Sequence, residues 1–441
     1  MSGLERASRG QLLEMIGLQQ AQIEELVARV AELEEENRRL RRGGGSGVEL
    51  WVRPSRPPKE KKERKERGQA FVRHREEPQE ICHHALERCP DCGRKLEGGW
   101  EHRRRQVIEL VLPRVRVVDH VVIARRCGVC GKRWLPRLEA SEIGAAGKRR
   151  FGVSIQSVVA TLHVACRIPM KMVRRLLREL WGLRLSAGEV VALLDGVAKA
   201  GREELRRLHD EVRGSPVVCA DETGWREDGQ NGYLWTFVTP KLRYFLYRKS
   251  RSGEVAKEVL GEEFAGVTVS DFYAGYNRLE GKHQRCWVHL LRDLADLAQL
   301  NADRPEVITW VEAVRTVYAE AKAFSHPQER VRARQQRRFA EALARLARPY
   351  AKDPQAPQRT LAQRMLRFLS ELFLFVADPQ VPSDNNLAER SLRPAVTARK
   401  ISGGTRSPKG SETKMTLLSL FGTWDLQGKP LLPTSQQLLT P

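Results

Sequence analysis

Two apolar runs end in an acid: Val217-Val-Cys-Ala-Asp221 and Gly266-Val-Thr-Val-Ser-Asp271. Both read as short buried strands. Carboxylates at the ends of neighbouring strands can share hard, oxygen-seeking cations. A pair of such ions stabilises the attacking and leaving oxygens of a phosphoryl transfer. A third carboxylate, arriving from a helix, would complete that site. The run Asp384-Asn-Asn-Leu-Ala-Glu389-Arg390-Ser-Leu-Arg393-Pro394 offers one. Glu389 falls in a helical turn that Ser383 or Asp384 can cap and that Pro394 can end. Arg393 lies one helical turn further on, so a surface ion pair with Glu389 is the plainer reading of the same residues. Arg390, Arg393, Arg399 and Lys400 surround this acid with cations suited to holding phosphate rather than to acid–base work. Two rivals are weaker. Glu222 adjoins Asp221 but faces the other side of a continuing strand, and Asp384 is better used as a cap.

A second cluster is built on sulfur. Cys89-Pro-Asp-Cys92-Gly and Cys127-Gly-Val-Cys130-Gly stand with 34 residues between their inner cysteines. Each is a knuckle in which two thiolates converge on one ion and the glycine lets backbone amides turn toward sulfur. Two knuckles complete a tetrahedral Cys₄ zinc site. The Val- and Ile-rich runs 106–112 and 115–123 alternate roughly and read as strands, which makes residues 81–140 a zinc ribbon. Cys82, His83 and His84 are nearby alternative ligands. Cys286-Trp-Val-His289 has metal-like spacing without a second pair and reads as a strand-to-helix junction, followed by solvated Asp293 and Asp296. Trp225 and Tyr276 have the chemistry to stack on an unpaired base, although packing accounts for each.

The elements that must position these groups form a multidomain α/β chain. Residues 8–42 carry a heptad with Ile16, Ile23, Val30 and Asn37 at a, and Leu12, Gln19, Leu26, Leu33 and Leu40 at d. That pattern favours a parallel two-stranded coil, hence a homo-oligomer of at least two copies. Residues 43–80 form a basic arm opened by Gly43–Gly47, with a net charge of +7 over 53–75. Residues 150–213 are helical. A turn with a Ser186–Glu189 capping box joins two helices there, as in a helix-turn-helix or an ordinary helical hairpin. The cations of the first helix, Arg174 and Arg175 among them, are its better phosphate contacts. From 214 to 300 the pattern becomes α/β and opens with an antiparallel meander. Residues 301–380 read as helix, 381–424 return to the core, and 425–441 read as a loose tail. The formal net charge of +22 points to a polyanionic partner. The absence of an apolar span or a signal-peptide start points to the cytoplasm rather than to a membrane.

Several pieces together resemble a known family. They are Ala220-Asp-Glu-Thr-Gly-Trp225, Ser270-Asp-Phe-Tyr-Ala-Gly-Tyr276, Cys286-Trp-Val-His289 and Asp384–Pro394. In order and spacing they are similar to the DDE transposases of bacterial insertion sequences, the IS-sixty-six group, over roughly residues 10–425. The resemblance implies an RNase H-like core interrupted by a helical insertion, with Asp221, Asp271 and Glu389 as a catalytic triad binding Mg²⁺ or Mn²⁺. It implies cleavage of a phosphodiester at the element's end and attack of the freed 3′-OH on target double-stranded DNA. Accessory transposition proteins and a nucleoid-associated location in a bacterium follow from the same resemblance. The alternative is a catalytically idle DNA-binding protein of transposase descent.

Overall fold

The computed structural model describes Ala28 and residues 77–106, 108, 115–136 and 150–440. Apart from Ala28, the expected coiled coil lies outside these residues, as does the basic arm up to residue 76. The chain divides into two units, Met1–Glu109 and Leu110–Pro441.

In the first unit Cys89 N donates to Arg94 O (2.8 Å) and Gly93 N to Cys89 O (2.9 Å). Gly93 has φ +70°, which a side chain would oppose. The second unit repeats this turn. Cys127 N donates to Lys132 O (2.9 Å) and Gly131, at φ +68°, donates to Cys127 O (2.9 Å). That turn joins strands β1 (Arg125–Arg126) and β2 (Arg133–Trp134). The expected strand over 115–123 does not form, and Val117, Val121 and Ile123 are exposed. Alternation alone cannot hold a strand whose edges find no pairing partner, and none pairs with it among the described residues.

The rest of the second unit begins with helices α1 (Val153–Ala160), extended by a π-helical turn to Ala165, α2 (Met170–Trp181), α3 (Ala187–Ala200) and α4 (Arg202–Arg213). The Ser186–Glu189 capping box is formed. α3 buries Val190, Leu193, Leu194 and Val197 and packs on α1 and on later helices. The α2–α3 pair is thus a helical hairpin whose second helix buries one face in the core.

Strands β3 (Val217–Glu227), β4 (Gln230–Val238) and β5 (Arg243–Arg248) form the expected meander. Helix α5 (Glu254–Leu260) leads to β6 (Val267–Ser270), a 3₁₀ turn (Ala274–Arg278) leads to β7 (Lys282–Arg285), and α6 (Trp287–Leu300) follows. The sheet order is β5-β4-β3-β6-β7, with β3, β6 and β7 parallel to one another. Helices α7 (Pro305–Ala323), α8 (Glu329–Ala351), α9 (Arg359–Arg367) and α10 (Leu374–Ala377) pack with α6 around a separate apolar cluster that includes Trp287, Trp310, Leu343 and Phe373.

The chain then returns through α11 (Asn386–Ser402), α12 (Pro408–Leu426) and α13 (Leu431–Leu439). Two expectations are corrected here. α11 runs straight through Pro394 for 17 residues instead of stopping at it. Neighbouring packing, with Leu392 and Ala395 buried, outweighs the missing N–H. The tail is not loose, because α13 lays Leu431, Leu438 and Leu439 against the main core. α12 closes the β5 edge through its hydroxyls. Arg243 N donates to Thr423 Oγ1 (3.0 Å) and Phe245 N to Ser419 Oγ (2.9 Å), so two backbone donors of the edge strand are satisfied by a helix.

Candidate active site

The β3–β6 register decides where the first two acids lie. Val217 pairs with Val267 and Cys219 with Val269. Carried two residues further, that offset sets Asp221 level with Asp271 on adjacent parallel strands. Side chains alternate along a strand, so Asp221 takes the face of Cys219, the face covered by Ala388 of α11. Glu389 is the next residue of that helix.

Backbone ties fix the three approaches. Asn385 is wholly buried and donates from Nδ2 to Ala220 O (2.8 Å), while its N–H reaches Cys286 Sγ (3.2 Å). Trp287 N donates to Ser383 O (3.0 Å). Asp384 Oδ1 accepts from Asn386 N (3.1 Å) in a turn just ahead of α11, whose N-cap position is Asn385 rather than the expected Asp384 or Ser383. The start of α11 is thus bonded both to the end of β3's parallel stretch and to the β7–α6 junction. Asp271 is held from behind by Arg285, which is 1% exposed. Arg285 donates to the Asp271 carbonyl (3.0 Å), to Asn277 Oδ1 (2.6 Å) and, from Nε, to Glu371 Oε2 (2.6 Å).

The site is electrically loaded. Burial first, then the charges of Glu222, Asp271 and Glu389, push the Asp221 carboxyl up to about 8. The Glu222 carboxyl is also raised, chiefly by burial, although Tyr276 and Arg251 oppose the rise. Tyr276 Oη donates to Glu222 Oε2 (2.5 Å), and Arg251 donates from Nε (2.9 Å) and Nη2 (2.7 Å) to Glu222 Oε1. The Arg251 guanidinium stacks 4.0 Å from the Tyr273 ring centre. His289 Nε2 lies 3.7 Å from Glu389 Oε1. Arg251 and Arg285 were not singled out in the sequence. Tyr276 stood out there only as a candidate for base stacking, and His289 only through the Cys286–His289 spacing.

Among the cations expected to hold phosphate, Arg390, Arg393 and Lys400 are exposed on α11. Arg399 is spent inside the protein, donating from Nη1 to Thr223 Oγ1 (3.2 Å) and to Gly224 O. Arg174 donates to Leu185 O (2.7 Å) and so braces the α2–α3 turn, whereas Arg175 is exposed. Trp225 is buried with Nε1 on Thr405 Oγ1 (3.1 Å), and Tyr276 is wholly buried, so both pack rather than stack on a base. Asp293 is not merely solvated, since it pairs with Arg364.

In each cysteine knuckle the first thiol is held below its ordinary range. The N–H groups of Cys92 and Asp91 do this for Cys89, and those of Cys130 and Val129 for Cys127. Among the described residues no three His, Cys, Asp or Glu side chains are gathered closely enough to enclose a metal ion. The Asp221 carboxyl feels the charges of Asp271 and Glu389 without the three acids forming a closed cage.

Comparison with known proteins places most of this region in one family. The family model for the Transposase IS66 family matches residues 148–413, more than half of the chain. The chain belongs to the IS66 transposase family. It is 35% identical over 162 residues to the uncharacterized protein y4jO of Sinorhizobium fredii, covering 36% of this chain and 47% of that one. It is 27% identical over 262 residues to the uncharacterized protein y4jD of the same organism, covering 51% and 50%. The chain spans about half the length of these curated relatives. No described helix is long and apolar enough to cross a membrane.

Proposed function

We propose that this IS66 family member is a working DNA transposase whose reaction centre is Asp221, Asp271 and Glu389. One observation carries this reading most of the way: parallel strand register sets two acids level, and a helix tied to Ala220 brings the third to the same face. The strand order, with an antiparallel meander followed by two parallel strands, supports an RNase H-like core in which α7–α10 are the helical insertion.

The donor set fits a hard divalent cation, Mg²⁺ or Mn²⁺. It is all carboxylate oxygen, and a cation among the acids would relieve the repulsion that adds to burial in raising Asp221. When bound, the metal ions lower the pKa of water and offset charge on the scissile phosphate. The protein's own part is positional. Arg285 fixes the Asp271 backbone, Asn385 fixes the approach of Glu389, and Arg390, Arg393 and Lys400 hold strand phosphates. The outcome is hydrolysis at the element's end and attack of the resulting 3′-OH on target DNA. The chain acts as a dimer or larger assembly in the bacterial cytoplasm, on the nucleoid, alongside accessory transposition proteins. Each knuckle, Cys89–Cys92 and Cys127–Cys130, has amides turned to its first sulfur and would offer two thiolates to Zn²⁺.

The test is cleavage and joining of duplex carrying the element's terminal repeats, with Mg²⁺. Asp221→Asn and Glu389→Gln are expected to keep DNA binding and lose nicking. Nicking that persists in either overturns the triad. Binding without cutting in the unaltered chain points to the idle DNA-binding alternative, and cutting without end preference or joined products to a plain nuclease.

A further inference from the structure

Helix α8 carries seven arginines and two glutamates over Glu329–Ala351. Arg330, Arg334, Arg337, Arg338, Arg345 and Arg348 are all exposed. At about 100° per residue these six fall within a sector of about 100° on one side of the helix. The opposite side is fixed in the apolar cluster by Phe339, Leu343 and Ala347. The seventh, Arg332, belongs to that buried side and is consumed by the carbonyls of His326, Pro327 and Ala377.

An exposed helix face normally mixes signs and pairs them. On neighbouring α7, Arg315 bonds Glu312, and on α9 Arg364 bonds Asp293. None of the six α8 arginines makes an ion pair or side-chain hydrogen bond with another described residue. Only Glu341 interrupts their face. Like charges in one sector repel, so the arrangement costs stability unless an anion is brought to it. All six are arginine and none is lysine. The guanidinium fork matches phosphate bidentately, where an ammonium acts as a point charge. From Arg330 to Arg348 the row runs about 27 Å at 1.5 Å per residue, roughly eight phosphate spacings along one strand of a duplex.

We infer that this face of α8 is a sequence-independent docking surface for the phosphate backbone of double-stranded DNA. The insertion would thus grip a flanking or target duplex rather than serve only as packing. The inference rests on the reading of the chain as a DNA-handling protein. It is distinct from the α11 cations, which sit beside the triad.

The experiment compares the full chain with R334Q/R337Q/R338Q/R345Q, glutamine being a comparable helix former. Binding to a random-sequence duplex is measured from low to moderate salt. Each phosphate contact adds about 0.9 to the slope of log K against log salt. The variant is expected to lose two or more from that slope and at least tenfold in affinity, with a melting temperature no lower than that of the unaltered chain. R207Q, an exposed arginine on α4, serves as a surface-charge control and should lose no more than one contact's worth. An unchanged slope in the quadruple variant overturns the inference while leaving the transposase reading intact. So does a face that takes polyglutamate as tightly as duplex at equal salt. If the unaltered chain fails to bind duplex at all, the transposase reading fails first. If the quadruple variant melts early, charge reversal at Arg337 alone (R337E) gives the same comparison without the fold defect. Equal slopes there count against the surface.

Discussion

Asn385 donates from Nδ2 to the carbonyl of Ala220 at 2.8 Å, so the residue before Asp221 and the residue that opens Glu389's helix share one hydrogen bond. Both partners are wholly buried. Asn385→Ala leaves that carbonyl without its donor, at a cost of about 1–3 kcal/mol. It also frees the start of α11 to shift relative to β3. Cleavage is therefore expected to fall further than the stability loss alone explains, while duplex affinity stays near normal. Urea unfolding, binding and nicking measured side by side check this. A loss of stability with full specific activity would reduce Asn385 to a packing residue.

Two arginines on α11 have opposite fates. Arg393 is exposed and free to meet phosphate, whereas Arg399 bonds Thr223 and Gly224. Arg393→Ala is expected to weaken DNA binding by about 1–3 kcal/mol with no change in melting. Arg399→Ala should instead lower the melting temperature, because it unties the far end of α11 from β3. Filter binding and thermal denaturation separate the two.

These contrasts show where the sequence was informative. The acids at 221, 271 and 389 stood out because each followed a recognisable pattern: an apolar run ending in charge, or a cap followed by a helical turn. The meander and the capping box at Ser186 were legible for the same reason, since local chemistry settles them. The offset that sets Asp221 beside Asp271 was not legible, because register is fixed by packing across 50 residues of chain. Arg285 looked like any surface arginine until the fold buried it. Pro394 misled, because a proline penalty is local while the contacts of Leu392 and Ala395 that override it are tertiary. The valine-rich run over 115–123 misled in the converse way, a strand pattern that pairs with no neighbour among the described residues.

Arg251 and Glu222 form the next pair to test. The Glu222 side chain is 2% exposed and takes both donors of the Arg251 fork on one oxygen. Arg251→Ala strands a buried carboxylate beside Asp221. Since Arg251 is itself half exposed, the loss is set at about 1–3 kcal/mol rather than the full value of a buried pair. Arg251→Lys keeps the charge but not the fork, and falls between. Adding Glu222→Gln to Arg251→Ala should restore part of the stability, because it removes the stranded charge. A double-mutant cycle in urea gives the coupling, and simple additivity would mean that the pair does not interact energetically.

His163 and Lys414 give the second unit a pH dependence that is separate from the triad. Burial, and then the charge of Lys414, lowers His163 to about 4 from an ordinary 6.5, and its Nδ1 faces Ile168 O at 2.9 Å. Burial lowers Lys414 to about 8 from 10.5. In both cases the unfolded chain binds the proton more tightly than the folded one. Stability therefore rises with pH wherever the two states differ, between about 4 and 6.5 for His163 and between about 8 and 10.5 for Lys414. Conversely, stability is lost as pH falls through each window. His163→Gln is expected to flatten the urea midpoint between pH 4.5 and 6.5 and leave the alkaline limb alone. Lys414→Met should flatten the alkaline limb and raise the midpoint at pH 7, since it removes a cation that is buried there. It should also ease the lower window, because His163 then titrates without a positive neighbour. An acid limb that keeps its full slope in His163→Gln would place the sensitivity in the carboxylates instead.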